Sequence, residues 1–169
     1  MIMKDELGQE LLIALRKTCG VKKVIELLNQ GADINTTDEE KNSVLHYAVE
    51  NSWGYYFPTI NLLIKKGADV LHQNNKGETP LFKAAALNYN VIVKLFLTQN
   101  ISSVTIKDNS NRKPVDVTLD EELKVLLNMA ENIYLNNDGS LKNYYDYVYT
   151  QAKFQIIGEN NGIADHDLI

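Results

Sequence analysis

A motif that recurs about every 36 residues constrains the fold of this chain more than any other feature. Gly31-Ala32-Asp33 recurs 36 residues later as Gly67-Ala68-Asp69, and Leu45-His46-Tyr47-Ala48 recurs at the same distance as Leu81-Phe82-Lys83-Ala84. A unit of this size cannot bury its apolar face alone, so copies of it stack and share one elongated core. We therefore predict a stack of about four small helical units.

Residues 74–107 show the local signals within one unit. Gly77 permits the positive φ of a hairpin turn, and Thr79 followed by Pro80 is typical of a helix N-cap and first helical position. The apolar residues of 91–97 cover so wide an arc that a second, buried helix is indicated. Each unit is thus predicted to be a hairpin turn followed by two helices.

The Thr79-Pro80-Leu81 opening and the Gly-Ala-Asp element after the second helix resemble the ankyrin repeat, and the resemblance covers roughly residues 5–132. It implies an all-α solenoid of helix-turn-helix pairs with β-turn fingers, followed by a C-terminal helical extension. The predicted first domain, 1–132, holds units at 5–37, 38–73, 74–107 and 108–132, and residues 133–169 are predicted to form a Tyr-rich helix with a frayed tail.

Two positions test how closely the units match. Lys41 and Asn111 stand where the second finger has Gly77. Asparagine tolerates a left-handed backbone but lysine does so less easily, so we expect a different turn in the first finger.

His46 occupies the position whose imidazole, by the resemblance, bonds within the turn that opens the first helix. A structural role is therefore expected for His46, whereas His72, in the second finger, is predicted to be a solvated side chain.

Catalytic chemistry is not indicated by this sequence. It holds three histidines, the single cysteine Cys19, no metal-spaced cluster and no glycine-rich phosphate loop. We predict a non-enzymatic protein with no catalytic residue, no cofactor and no metal. A net charge of −5 argues against nucleic acid, and no apolar run is long enough to span a membrane. The expected protein is a cytoplasmic monomer, with delivery into a host cell as the alternative location.

By the resemblance, the fingers and the first helices line a concave surface that binds another protein. The finger residues predicted to contact the partner are Asp38, Glu39, Glu40, Gln73, Asn75, Lys76, Asn109 and Arg112. Because the net charge is −5, a partner with a basic surface is expected; the acidic residues of the fingers are concentrated in the first finger. We predict a protein-protein interaction module. The alternative is an inhibitor, immunity-type or host-directed effector protein that blocks one partner enzyme.

Aromatic residues gather in the second unit, which is three residues longer than the 33-residue repeat. The excess falls in residues 51–58, between its two helices. Trp53, Tyr55 and Tyr56 in this loop, with Tyr89 at the matching turn of the third unit, are predicted to anchor the partner, since such side chains dominate interface hot spots. In the alternative, Trp53 and Phe57 fold back and seal the longer turn.

The last part of the chain is rich in tyrosine. Five of the nine tyrosines lie in residues 133–169. After the turn signal at residues 136–139, Ser140 is suited to cap a helix with one apolar side. That side comprises Leu141, Tyr145, Val148, Ala152 and Ile156. Two interpretations stay open: the helix covers the exposed end of the fourth unit, or its tyrosines form part of a docking surface.

Overall fold

The computed structural model of the protein describes residues 4–17, 20–51 and 57–136. Within these ranges the chain is helical, apart from turns and a single β-bridge between Thr37 and Ser43. The helices are α1 (Lys4–Arg16), α2 (Val21–Asn29), α3 (Val44–Glu50), α4 (Phe57–Lys65), α5 (Pro80–Ala86), α6 (Asn90–Gln99), a 3-10 helix (Ile101–Thr105), α7 (Pro114–Val117) and α8 (Glu121–Asn136). The predicted all-α repeat fold is confirmed.

The helices form two rows. The first helix of each unit packs on the first helix of the next, from α1 through α3 and α5 to α7, and the second helices α2, α4 and α6 follow one another in the other row. Each pair is also packed internally. The core therefore lies between the two rows and runs continuously along the stack.

Leucine and alanine have different roles in this core. Large fully buried side chains such as Leu45, Leu63 and Leu81 fill the space between the rows. Ala48 and Ala84, at the same position of α3 and α5, are also fully buried. Because an alanine adds only a methyl group, adjacent first helices approach one another closely. Burial of this apolar surface is the main stabilising contribution to the stack.

The ends of the helices form as their sequences predict. Thr79 Oγ1 accepts a hydrogen bond of 3.1 Å from the Phe82 amide at the start of α5. Gly31 and Gly67 follow α2 and α4 with φ of 98° and 93°. These left-handed residues let the next amide donate back to the helix, as in the 3.0 Å bond from Ala68 N to the Leu63 carbonyl. Local chemistry thus fixes where each unit turns.

The fourth unit departs from this pattern. No glycine follows α6; Asn100 adopts an extended φ of −156°, and its side-chain oxygen accepts a 3.0 Å bond from the Ser102 amide that starts the 3-10 helix. The first helix of this unit, α7, has only four residues. α8 packs chiefly on the 3-10 helix and α7, and it continues to Asn136, so the predicted boundary at residue 132 falls inside a helix.

Candidate protein-binding face

The three hairpin fingers, residues 38–42, 74–78 and 108–112, share one turn. In each, the first residue's amide donates to the fifth residue's carbonyl, at 3.2, 3.0 and 2.9 Å in chain order. The first residue's side-chain oxygen accepts from the fifth residue's amide, at 2.6, 3.0 and 2.8 Å. Aspartate or asparagine at this first position therefore closes every finger.

The fourth residue of each finger is left-handed, with φ of 59° at Lys41, 76° at Gly77 and 64° at Asn111. The prediction of a different turn in the first finger is therefore wrong. Asp38 explains why lysine is tolerated: its carboxylate accepts bonds from both the backbone and side-chain nitrogens of Asn42, at 2.6 and 3.0 Å. These bonds hold the finger closed around the strained residue.

Neighbouring fingers are hydrogen-bonded to one another. The Asn75 amide donates to the Glu40 carbonyl at 2.8 Å, and the Asn109 amide donates to the Lys76 carbonyl at 2.9 Å. The side-chain amides of the same two asparagines also donate to the preceding finger, to the carbonyls of Glu39 and Asn75, at 3.1 and 2.8 Å. Both asparagines, predicted as partner contacts, thus remain exposed while they connect the fingers.

Two further predicted contacts are also engaged within the protein. The Gln73 side-chain amide donates to the Gly77 carbonyl at 2.7 Å and to the Lys107 carbonyl at 3.1 Å. Arg112 donates twice to one carboxylate oxygen of Asp108, from Nε at 2.9 Å and from Nη2 at 2.6 Å. Burial acts to raise the pKa of Asp108, but the bonds from Arg112 outweigh it and the pKa is lowered. Much of the third finger's positive charge is therefore neutralised internally.

Three of the remaining finger residues, Glu39, Glu40 and Lys76, are exposed at the finger tips. Asp38, the first residue of the first finger, is half-buried, and its carboxylate is bonded to Asn42. The first finger carries three acids and one lysine. The predicted concentration of acid in this finger is thus presented outward, chiefly by Glu39 and Glu40.

The first helices contribute a row of side chains at the base of the fingers, which sequence reasoning missed. Ile13, Tyr47, Lys83 and Val117 occupy the same position of successive first helices, and Ile13 is 50% exposed. Tyr47 donates from its hydroxyl to Asp38 Oδ2 at 2.7 Å. Burial, followed by this bond, raises the pKa of Tyr47 to about 12. We call the fingers and this row together the finger face.

The signal for this row was present in the sequence, since Tyr47 follows His46 in one unit and Lys83 follows Phe82 in the next. Lys83 Nζ lies 3.1 Å from Glu50 Oε2 on the preceding first helix. Such a pair is partly exposed and contributes little stability, but it fixes where the two charges stand.

The loop ends of the helix pairs carry a second set of apolar side chains. Leu87 is 39% exposed and Leu119 is 83% exposed. Asn88 joins their loops, because its side-chain oxygen accepts from the Leu119 amide at 3.0 Å. Tyr89 is half-buried against the core, which leaves part of its ring accessible. Sequence reasoning singled out Tyr89 here but neither leucine.

Several predictions lie outside the described residues. They concern Cys19, the loop residues Trp53, Tyr55 and Tyr56, and the tyrosines and apolar side of residues 137–169.

Both histidines of the described part make hydrogen-bond contacts with a neighbouring repeat. The His46 Nδ1 accepts from the Ser43 amide at 3.2 Å, and its Nε2 donates to the Glu78 carbonyl in the next finger at 2.9 Å. The His72 Nε2 lies 2.9 Å from the Lys41 carbonyl, and the two imidazoles meet edge to face at 6.0 Å. The structural role predicted for His46 is confirmed, whereas His72 is bonded to the first finger rather than only solvated.

Among the described residues, no three histidine, cysteine, aspartate or glutamate side chains come together as a metal site would require. In the same ranges, each helix is too short or too polar to cross a membrane.

Gly77→Ala is expected to lower the free energy of unfolding by about 2–4 kcal/mol, because a left-handed alanine and a steric collision both add cost. The new Cβ would lie 2.6 Å from Asn109 Oδ1 and 2.8 Å from the Asn109 amide nitrogen. Gly31→Ala is the matched control, since its φ is 98° but nothing lies within 4 Å of the added atom. Equal losses for the two variants in urea unfolding would show that close finger contact contributes nothing.

Comparison with known proteins agrees with this geometry. The family model for ankyrin repeats in three copies matches residues 11–108 and 45–138. A protein of Rickettsia bellii (strain RML369-C), named as an ankyrin repeat protein, is 34% identical over 102 residues, which are 59% of this chain and 54% of that protein.

Two further relatives come from other kinds of source. An ankyrin repeat protein of Acanthamoeba polyphaga mimivirus is 30% identical over 105 residues, 62% of this chain and 14% of its own length. A Dictyostelium discoideum protein named as a serine/threonine-protein kinase is 33% identical over 99 residues, 56% of this chain and 11% of its own. The chain thus spans about half of the first relative and far less of the others. Because the family model matches most of the chain, from residue 11 to residue 138, this protein belongs to the ankyrin-repeat family.

Proposed function

We propose that this protein acts without catalysis as a binding module whose first finger receives a basic surface of a partner protein. Ankyrin repeats indicate a protein-protein interaction module. The observation that carries the finer proposal is the outward presentation of Glu39 and Glu40 on a finger whose backbone is fixed by Asp38. A positively charged partner side chain meeting these carboxylates gains favourable Coulomb energy without remodelling the finger.

Rigidity of the finger face supports this proposal. The hydrogen bonds from Asn75 to the first finger and from Asn109 to the second hold the tips at fixed spacing. A surface that is ordered before binding loses less conformational entropy when the partner docks. The two asparagines therefore assist binding by positioning the fingers, whether or not their side chains contact the partner.

At the third finger, two cations are already paired with carboxylates of this protein. Arg112, the positively charged residue of the third finger, is held by Asp108 at 2.6 Å. Lys113, which follows it, lies 2.6 Å from Glu131. Since both cations already have carboxylate partners, an acidic ligand at this end would have to compete with Asp108 and Glu131.

Replacing Glu39 and Glu40 together by lysine is expected to weaken partner binding about tenfold or more, because attraction becomes repulsion at the first finger. The matched control replaces Glu121 and Glu122 by lysine; these two adjacent, exposed acids at the start of α8 give the same change in net charge. The protein and both variants would be used for affinity capture from the native cell, and the Kd of each captured protein measured at two salt concentrations.

A partner that binds all three proteins equally, with no dependence on salt, would contradict the role of the first finger. Unaltered melting temperatures in both variants keep the comparison valid.

The alternative function, an inhibitor that blocks one partner enzyme, stays a prediction. A one-to-one complex that abolishes an enzyme's activity favours the inhibitor, whereas simultaneous binding of two proteins favours an adaptor.

A further inference from the structure

Lys41, in the first finger, is poorly suited to the backbone conformation that it adopts. Its φ of 59° lies in the left-handed region, where a side chain crowds its own backbone. The same position holds Gly77 in the second finger, which avoids this crowding, and Asn111 in the third, which tolerates it. Lysine is therefore the least favourable of the three residues for the turn that the fingers share.

Hydrogen bonds on both sides hold Lys41 in this conformation. Its amide donates to the Asp38 carbonyl at 3.0 Å, and the Asn42 amide that follows it donates to Asp38 Oδ1 at 2.6 Å. The Lys41 carbonyl lies 2.9 Å from His72 Nε2 of the next unit. A strained residue persists only where its surroundings fix it in this way, and such residues cluster at functional sites.

The ammonium group of Lys41 does not contribute to the bonds that hold the finger. The side chain is exposed, and its Nζ atom makes no ion pair or hydrogen bond with any residue of the described ranges, although three acids precede it directly. Lys83 and Lys113, by contrast, are paired with carboxylates at 3.1 and 2.6 Å. The lysine side chain thus strains the first finger without adding an internal bond.

The next unit fixes the backbone of all three charged residues at the tip of the first finger. The Glu39 carbonyl accepts from the Asn75 side chain at 3.1 Å, the Glu40 carbonyl accepts from the Asn75 amide at 2.8 Å, and His72 holds the Lys41 carbonyl. Two negative charges followed by one positive charge are therefore presented on an ordered backbone. Order before binding reduces the entropy lost when a partner docks.

We infer that Lys41 is a specificity-determining residue of the finger face and binds a carboxylate of the partner protein. This role rests on the proposed function, in which Glu39 and Glu40 receive a basic surface of that partner. A surface that is basic throughout would place like charge against the Lys41 ammonium, which disfavours the complex. The partner is therefore expected to present an aspartate or glutamate among its basic residues.

Lys41→Gly is expected to change stability and binding in opposite directions. The melting temperature should rise by about 2–4 °C, since the left-handed residue no longer carries a side chain. Affinity for the partner should fall about threefold to tenfold, since the ammonium is lost. A residue with a structural role alone would not combine a gain in stability with a loss of binding.

A phage-displayed library of random peptides supplies defined probes for this test. Peptides that are selected on the wild-type chain and depend on Glu39 and Glu40 are expected to combine lysine or arginine with an acidic residue. Replacing that acid by its amide should weaken binding to the wild type about threefold to tenfold and should cause no further loss with Lys41→Gly. Such non-additivity is the signature of a direct contact between the two groups.

Three variants serve as controls. Lys41→Arg keeps the charge and should bind the peptides as the wild type does. Lys41→Asn carries the residue of the third finger and should bind as weakly as Lys41→Gly, which excludes the flexibility of glycine as the cause. Lys66→Gln removes an exposed lysine just after α4, makes the same change in net charge and should leave the affinity unaltered.

Two outcomes distinguish this role from the proposed function. Peptides that depend on Glu39 and Glu40 but bind Lys41→Gly as tightly as the wild type would overturn the role of Lys41 alone, as would a selection that enriches no peptide requiring Lys41. Peptides that bind equally well after Glu39 and Glu40 are replaced by lysine would contradict the proposed function itself.

Discussion

Leu63→Ala is expected to lower the free energy of unfolding by about 2–5 kcal/mol. Leu63 is fully buried in α4, which packs between α2 and α6 in the second row. The substitution removes buried apolar atoms and leaves a cavity that the neighbouring helices fill only in part. Since each repeat of such a stack depends on its neighbours, damage to a central unit weakens two interfaces together.

Leu119→Ala is the matched control, because the same atoms are removed from a side chain that is 83% exposed. Its effect on stability is expected to stay within about 0.5 kcal/mol. Urea unfolding followed by circular dichroism measures both. A loss of equal size in the two variants would contradict the shared core that the structure places between the helix rows.

The parts of the fold that sequence predicted are those that depend on local chemistry. Thr79 caps α5 through an amide three residues away, and Gly67 ends α4 through its own φ. Such signals lie within a few residues of the feature they determine. The 3-10 helix after Asn100 was not predicted, because it arises where a glycine is absent and α8 must find other packing partners.

The candidate site was likewise predicted from sequence only in part. Register alone placed Glu39, Glu40 and Lys76 at the finger tips, as the structure shows. The bonds made by Asn75 and Asn109 could not be predicted, since each depends on the distance to a carbonyl about 34–36 residues away. Lys41 shows the opposite case: its residue type argued against a left-handed turn, and the carboxylate of Asp38 overrode that preference.

The second large effect expected is a loss of stability as the pH falls from about 6.5 to about 4, which we attribute to His46. Burial lowers the pKa of His46 to about 4 in the folded protein, from 6.5. The unfolded chain therefore binds the proton more readily throughout this window. The contribution of neutral His46 to stability is complete above pH 6.5 and is lost as the pH falls to about 4. The difference corresponds to about 3 kcal/mol.

Burial excludes the charged form of His46, although its bond to the Glu78 carbonyl acts to raise the pKa. Its Nδ1 must stay unprotonated to accept from the Ser43 amide, while Nε2 carries the proton donated to the Glu78 carbonyl. A second proton would break the bond that opens α3. The pKa values of Asp38, Asp108 and Asp120 are also lowered, so their contributions begin to fall as the pH nears their ordinary value of 3.8 and are lost mostly below it.

The chain itself suggests the control variant, because Phe82 occupies in the third unit the buried position that His46 occupies in the second. His46→Phe should be less stable at pH 7 by about 1–3 kcal/mol, since the Ser43 amide loses its acceptor. Its free energy of unfolding should nevertheless change little between pH 6.5 and pH 4, measured by urea titration at fixed ionic strength. If the free energy of unfolding of the variant falls with pH as steeply as that of the wild type, a group other than His46 is responsible. The neutral imidazole at the junction of the second and third units would then not be the cause of the acid sensitivity.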